Sequence, residues 1–482
     1  MRAAWGLGLI LAVLVGPAAA QDISEDTSWY AIIAEGGDWV GHGSRTITPR
    51  PDGRDIAEVQ ELRFQEAGSP ETVVTEQTTT RQNREGRTLS IDQLTRTGAS
   101  STQIEARIGA AEAHILRRTQ SGLHETRVPL PRDVRFDAGA GLLAAWNPVM
   151  VPRLEFRNFS LDAMVVERVT IERLAGAAPT SGGGIVVLRK RFDGGQLRSV
   201  ARLTLDASRH LIAASQPMFG TSMTIRPVSR EEASLSRPPY RLLRDSMIKS
   251  PFRIPPSAMQ AHIRYRFTFR DGIEFAPPET GEQRVTAGSG ETTLDICEDC
   301  GAGLPSDKAY LADALRPTAW LQSDHPRLKA IVASVARLRL SNTRKMELLT
   351  DTARGLMGRV DFVGHYSALE TIQRGAGDCT EAAVLLAALG RAAGIPTRVV
   401  NGLAYSRERY HGVSNAFMPH SWTLAWTDGK WRSFDSALDR FDSTHIALTI
   451  GDGDARSIAS ASQLAGLLRW EGMSEVRSPP AS

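Results

Sequence analysis

From about Asp22 to Ser234 the chain is patterned in short runs. SWYAII, TVVTEQTTT, RTLSIDQLTR, AHILRRT, GGIVVLRKRF and SVARLTLD alternate apolar with polar positions or cluster Val, Ile and Thr, and turn signals such as PDGR, REGR and DGG separate them. This texture predicts the strands of an antiparallel sheet. Two stretches, LLAAWNP and DAMVVERV, read as helical interruptions. The region contains no cysteine, no clustered acid pair and no Gly-rich phosphate loop, so it offers no chemistry of its own.

A proline-rich passage, from SRPPYRLL to KSPFRIPPSAM, marks a boundary near residues 236–258. In HIRYRFTF, Ile263, Tyr265, Phe267 and Phe269 alternate with polar or basic partners, the period of a half-buried strand, and GETTLDI reads as its neighbour. After CEDCGAGLP the pattern turns helical through YLADAL, HPRLKAIVASVARL and NTRKMELLTDTARGLM. Strands return from Val399 to about Ile450, where SWTLAWTDGKWRSFD predicts a hairpin across Thr427–Lys430. Trp422 and Trp426, on one face of that alternation, read as core. No tandem repeat or low-complexity tract is evident.

The stretch GAGDCTEAAVLLAALGRAAGIPTR, 375–398, carries the sharpest signal. With Asp378 as N-cap, Glu381 falls at the third helical position, the spacing of a capping box. Ala382, Leu385, Leu386, Leu389 and Ala393 give the helix a face to bury, and Gly394 and Pro396 stop it. Cys379 is then the first helical residue, at the positive end of the helix dipole, where a thiol pKa is expected to fall. Gly375 and Gly377 are expected to leave room for a substrate backbone. A small packed residue would satisfy the same helix start, so Cys379 alone decides nothing.

A nucleophilic thiol needs a base, and the base an orienting partner. His420 begins one strand of the hairpin and Asp435 ends the other, which would bring them together on one edge. Separately, a strand-start histidine and a turn-forming aspartate are unremarkable. His411 is the other histidine near this region in sequence; it falls in the loop 406–417, which could instead help admit substrate, and His420 is preferred because the hairpin leads from it to Asp435.

Composition narrows the picture. The 482 residues are about three domain lengths, and 41% hydrophobic content supports ample cores. Lys and Arg total 57 against 54 Asp and Glu, with no dense basic run, so neither nucleic acid nor an anionic membrane is implied as partner. The start, MRAAWGLGLILAVLVGPAAAQ, has an early positive charge, a short apolar run and small residues before Gln21; it reads as a signal peptide, residues 1–20, cut after Ala20 and sending the mature chain to the periplasm or outside the cell. No later run approaches the roughly 20 apolar residues of a membrane-spanning helix.

Three cysteines are too few for a disulfide scaffold. The CEDC spacing of Cys297 and Cys300 is shared by redox sites, zinc knuckles and short disulfides. GAGLP after Cys300 argues against a redox helix, and no second C-x-x-C exists to complete a zinc site. A short disulfide closing a strand-to-helix turn is the expectation, which leaves Cys379 as the free thiol.

The succession GDCTEAAVLLAALGRAAGIPTRVVNGL, HSWTLAW and GKWRSFD, with the helical lead-in from about Leu311, resembles the bacterial transglutaminase-like superfamily over about the last third of the chain. The resemblance implies a papain-like fold with Cys379 as nucleophile, His420 as base and later acid, and Asp435 as orienter, needing no metal or organic cofactor and acting on a protein or peptide substrate by way of a thioester. Three positions depart from the family pattern: Ala382, where a histidine or large residue is common; Ser421, where another small residue is; and Ser436, where proline is. Animal relatives carry a calcium site, for which this chain shows no acidic cluster. The expected architecture is α+β: a β-rich domain at 21–245, a linker with strands and the CxxC pair at 246–308, and a transglutaminase-like catalytic domain at 309–482. The alternative is a binding or assembly module that keeps the fold without turnover.

Overall fold

The computed structural model describes residues 26–476 except 66–69, 99, 121, 138, 179, 181–182, 219, 289, 361–364, 409–412 and 439. The signal-peptide reading and His411 therefore lie outside the described residues. The chain divides into two compact units on either side of Leu242.

The first unit is built on a 14-stranded sheet whose neighbouring strands are all antiparallel where paired. It runs outward from β1 (Asp26–Ala34) to β8 (Gly122–Pro129), crosses through α1 (Ala140–Ala145) to β9 (Arg153–Ser160) on the opposite edge, and returns to β14 (Thr221–Val228), which pairs with β1. The two outer arms fold onto each other. Ile91, Ile104, Ile115 and Val128 from the first arm share a core with Phe159 of β9. The crossing segment ties the edges, Arg135 N–H donating to the Arg157 carbonyl at 2.9 Å and Phe159 N–H to the Arg135 carbonyl at 2.8 Å.

Of LLAAWNP, LLAA is helical as expected and ends α1, while Trp146 is already its extended C-cap. DAMVVERV is not: Val165–Arg173 is a strand, β10. Its Val, Thr and Ile side chains are stiff about χ1 and fit a pleated surface better than a helix, and the turn before it is made by Met164 with φ 51.

The second unit contains two sheets. One orders β15 (Ile248–Lys249), β22 (Ala416–Thr427), β21 (Thr397–Ser406) and β24 (Ile446–Gly451), with β23 (Lys430–Phe434) also on β22. The other orders β17 (Gln283–Ala287), β18 (Thr292–Ile296), β16 (Ile263–Phe269) and β25 (Leu468–Glu475). HIRYRFTF and TTLDI are thus paired strands, and the hairpin turns at Thr427 and Lys430. Cys297 and Cys300 form a disulfide just after β18 and ahead of α2 (Lys308–Asp313). Among the described residues no helix is long and apolar enough to cross a membrane.

Helices α3 (Pro326–Ala336), α4 (Asn342–Leu356), α5 (Ala368–Arg374) and α6 (Cys379–Ala392) follow, with the two-residue strands β19 (Arg359–Val360) and β20 (Ala376–Gly377) paired between them. The last helix, α7 (Ala455–Leu467), had no counterpart in the sequence pattern reading. Helix α6 packs against α3, α4, α5, β21 and β22. Its sequence suggests one apolar face, but every residue from Thr380 to Arg391 is buried. Ala383, Val384, Ala387 and Ala388 fill the faces between the leucines, and a helix apolar nearly all round is a core helix. Gly394, at φ 80, ends it, and the Ile395 N–H returns to the Gly390 carbonyl at 2.9 Å.

Candidate active site

Local sequence sets the mouth of α6. Asp378 is the N-cap: its Oδ1 accepts the Thr380 N–H at 2.7 Å, while Glu381 Oε2 accepts the Asp378 N–H at 2.9 Å, so the capping box is complete. Glu381 Oε1 accepts the Tyr366 N–H at 3.1 Å and faces His365 Nδ1 at 3.6 Å. Burial and the neighbouring Asp378 charge raise the Glu381 carboxyl from its ordinary value. Cys379 occupies the first helical position, half-buried and free of any disulfide.

The two glycines serve the fold rather than a substrate backbone. Gly375, at φ 58, is the left-handed cap of α5, and a Cβ on Gly377 would lie 2.5 Å from Glu381 Cβ. The electrostatic expectation at the helix mouth also reverses. Burial pushes the Cys379 thiol up from its ordinary value and the Asp378 charge pushes it the same way, outweighing the opposing pull of the Ser421 backbone N–H. A helix N-terminus stabilises a thiolate only as far as desolvation and an adjacent carboxylate permit.

His420 and Asp435 meet across the hairpin. His420 Nε2 donates to Asp435 Oδ2 at 2.7 Å, with both side chains fully buried. This leaves Nδ1 as the ring nitrogen able to exchange a proton with a thiol. Ser421, the next residue, has a backbone N–H that favours the charged form of the Cys379 thiol, and α6 packs on β22, so the helix mouth and the histidine strand share one site. The strand is tied to α6 from behind, where Thr423 Oγ1 donates to the Ala383 carbonyl at 3.0 Å.

Asp435 is held from all sides. Its Oδ1 accepts the N–H groups of Ala437 at 2.8 Å and Leu438 at 3.0 Å. Arg354, from α4, donates to the Asp435 carbonyl at 2.7 Å and the Leu438 carbonyl at 2.6 Å. Although burial works against its charge, the His420 ring and a second imidazole, His445, keep the Asp435 carboxyl well below the usual carboxylate range.

His445 is the residue that pattern reading missed. Its Nε2 donates to the same Asp435 Oδ2 at 3.1 Å, and its Nδ1 lies 3.2 Å from Asp442 Oδ1. The available signal was the Asp442-x-x-His445 spacing directly before a strand, which becomes meaningful only once β24 is known to lie beside the His420 strand's partner, β21. His420, Asp435 and His445 offer ligand atoms within 4.8 Å of one another, but those atoms are spent on mutual hydrogen bonds. In the group His262, Cys297 and Cys300, both sulfurs are in the disulfide.

Residues 331–436 match the transglutaminase-like superfamily. This span includes Cys379, His420 and Asp435. No curated protein matches the chain. Among solved structures, a protein provisionally described as a cysteine protease from Cytophaga hutchinsonii aligns at 18% identity over 46% of this chain and 91% of its own, with a TM-score of 0.28. A β-barrel-like protein of a domain of unknown function from Brucella abortus aligns at 13% identity over 43% of this chain and 98% of its own, with a TM-score of 0.34. A protein provisionally described as a protease from Parabacteroides distasonis aligns at 12% identity over 84% and 70%, with a TM-score of 0.20.

Proposed function

Starting from a transglutaminase-like domain at residues 331–436, we propose that the protein is an exported cysteine-dependent acyl-transfer enzyme acting on amide bonds of proteins or peptides. The observation that carries this reading is the 2.7 Å bond from His420 Nε2 to Asp435 Oδ2, with His420 on the strand against which the Cys379 helix packs. Cys379 is the nucleophile, His420 the base and later acid, and Asp435 the group that fixes the imidazole tautomer and orientation.

His420 Nδ1 takes the thiol proton as the sulfur attacks the amide carbonyl. The tetrahedral intermediate collapses when the same nitrogen returns that proton to the leaving amine, and an acyl thioester remains on Cys379. The Cys379 backbone N–H, at the open end of α6, is available to the oxyanion. Water resolves the thioester in a peptidase or amidase, and a lysine amine resolves it in a cross-linker. The Cys297–Cys300 disulfide supports export to an oxidising compartment, the periplasm or the outside of the cell.

The test is acylation of Cys379 by an activated ester, followed by intact mass. Wild type is expected to accumulate the acyl-enzyme, His420→Ala to form none, and His411→Ala to keep most of it. Acylation unchanged in His420→Ala would reject the enzyme reading in favour of a binding module. Partitioning of the acyl group between water and an added alkylamine then separates hydrolysis from transfer.

A further inference from the structure

Asp435 Oδ2 serves two imidazoles at once, His420 at 2.7 Å and His445 at 3.1 Å. The rings sit edge to face with centroids 5.4 Å apart. A single orienting carboxylate needs only one of them. The second is firmly seated: His445 is 2% exposed, edge to face with Trp422, tilted against Phe441 and closed on its far side by Asp442. Asp442 itself is fixed by the Thr444 N–H at 2.9 Å and hydroxyl at 2.6 Å. The result is a line of four groups, Asp442, His445, Asp435 and His420, of which only the last faces the thiol side.

Resting on the assignment of Cys379, His420 and Asp435 under Proposed function, we infer that His445 is a positioning residue. As an imidazolium clamped between Asp442 and Asp435, it holds the carboxylate on His420 and its charge sets the pH at which the His420–Cys379 pair loses its first proton. Two carboxylates flank the ring, one at each nitrogen; at Nδ1 the Asp442 carbonyl at 3.1 Å is a further acceptor, while the Asp442 N–H at 3.2 Å competes for the same nitrogen, and the balance of acceptors favours the protonated ring. Burial alone would strip the charge, but the bonds to Asp435 and Asp442 outweigh it and bring His445 to about 9. The other ionisable groups nearby include His420 across Asp435, the Tyr265 hydroxyl, which donates to the neighbouring Ser443 carbonyl, and, lining a cavity of about 660 Å³ with Asp435 and Asp442, both cations such as Arg354 and Arg440 and acids such as Glu282 and Asp351. None of these lies between His445 and Asp435.

The consequence is directional. A fixed positive charge near His420 repels a second one. His445→Gln keeps an N–H donor for Asp435 and removes the charge. The pair should then hold its proton to higher pH, by roughly 1–2 pH units for a charge at this separation in a partly screened interior.

The experiment is alkylation of Cys379 by iodoacetamide as a function of pH in the full chain, which requires no substrate. Wild type, His445→Gln and Asp442→Asn are compared, with circular dichroism and thermal unfolding confirming the fold. Asp442→Asn retains His445 and weakens the hold on its charge, and serves if the glutamine variant does not fold. The expected result is an acid limb displaced upward in His445→Gln, and by less in Asp442→Asn, where the weakened hold on the His445 charge is partly offset by loss of the Asp442 charge. An acid limb that stays in place in folded variants, whatever happens to the maximal rate, would overturn the inference, because packing loss lowers a rate without moving a titration. A wild-type profile unaffected by His420→Ala would instead overturn the enzyme reading on which the inference rests.

Discussion

Ser436 Oγ donates a 3.0 Å hydrogen bond to the carbonyl of Ala382. The residue after Asp435 is thereby tied to the first turn of the helix that carries the thiol. Both positions depart from the transglutaminase-like pattern, and the structure shows them joined: a hydroxyl, which proline could not supply, connects the Asp435 loop to the Cys379 helix. Ser421, the third departure, donates through its Oγ to Asn401 Oδ1 at 2.7 Å.

Removing that tie should loosen the site without dismantling it. Ser436→Ala is expected to lower stability by about 0.5–1.5 kcal/mol, the net value of a typical hydrogen bond. Acylation should fall more than that figure suggests, since misplacement of reacting groups by about 1 Å can cost on the order of 100-fold. Chemical denaturation and acyl-enzyme formation, measured on one preparation, check both. Loss of stability with an unchanged acylation rate would show that the tie is structural only.

The helix cap gives a second prediction with opposing components. Asp378→Ala should cost about 0.5–2 kcal/mol, as lost N-caps do. The Asp378 charge raises the thiol, so its removal should bring the alkylation midpoint down while fraying of the first turn withdraws aligned N–H groups. Asp378→Asn separates the two because it caps without charge. Its stability should approach wild type, its alkylation midpoint should fall, and its acylation should be rescued relative to the alanine variant. Equal inactivation of both would mean that the carboxylate itself takes part in the reaction.

The charge on His445 also enters folding stability. Its value is raised from about 6.5 in the unfolded chain to about 9 in the fold. The stabilisation it supplies is therefore complete below about pH 6.5 and lost as pH rises through about 9. Asp435, held low, acts in the other direction: its contribution is present above the ordinary carboxylate range and lost as pH falls. Urea denaturation at pH 6.5 and pH 9.5 should show the gap between wild type and His445→Gln shrinking by on the order of 3 kcal/mol, the linkage of a shift from about 6.5 to about 9. A constant gap would mean that the ring does not titrate in this window.

The disulfide should matter little to the thiol. With a sequence separation of 3, Cys297 and Cys300 close so short a loop that chain entropy supplies about 2 kcal/mol at most. The double variant Cys297→Ser with Cys300→Ser should unfold at modestly lower denaturant and keep the alkylation profile of Cys379. Loss of that profile in a folded variant would link the turn to the site.

What could be read directly from the chain was whatever depends on neighbours a few residues apart. The capping box of Asp378 and Glu381, the first-turn position of Cys379, the stop at Gly394, the hairpin that brings His420 to Asp435 and the short Cys297–Cys300 bridge all rest on local backbone geometry, and each leaves a pattern in consecutive residues. Period alone failed where two periods compete, as in VVERVTIER, and it understated α6, whose faces are all apolar enough to be buried. The remaining features belong to tertiary structure. His445 reaches Asp435 only because the loop after Asp435 turns back before β24, and Ser436 meets Ala382 only because that loop packs on α6. The thiol is raised because desolvation depends on everything packed around it, and no stretch of residues contains that information. Side-chain bonds between distant segments and the dielectric around a buried charge exist only once the core has closed.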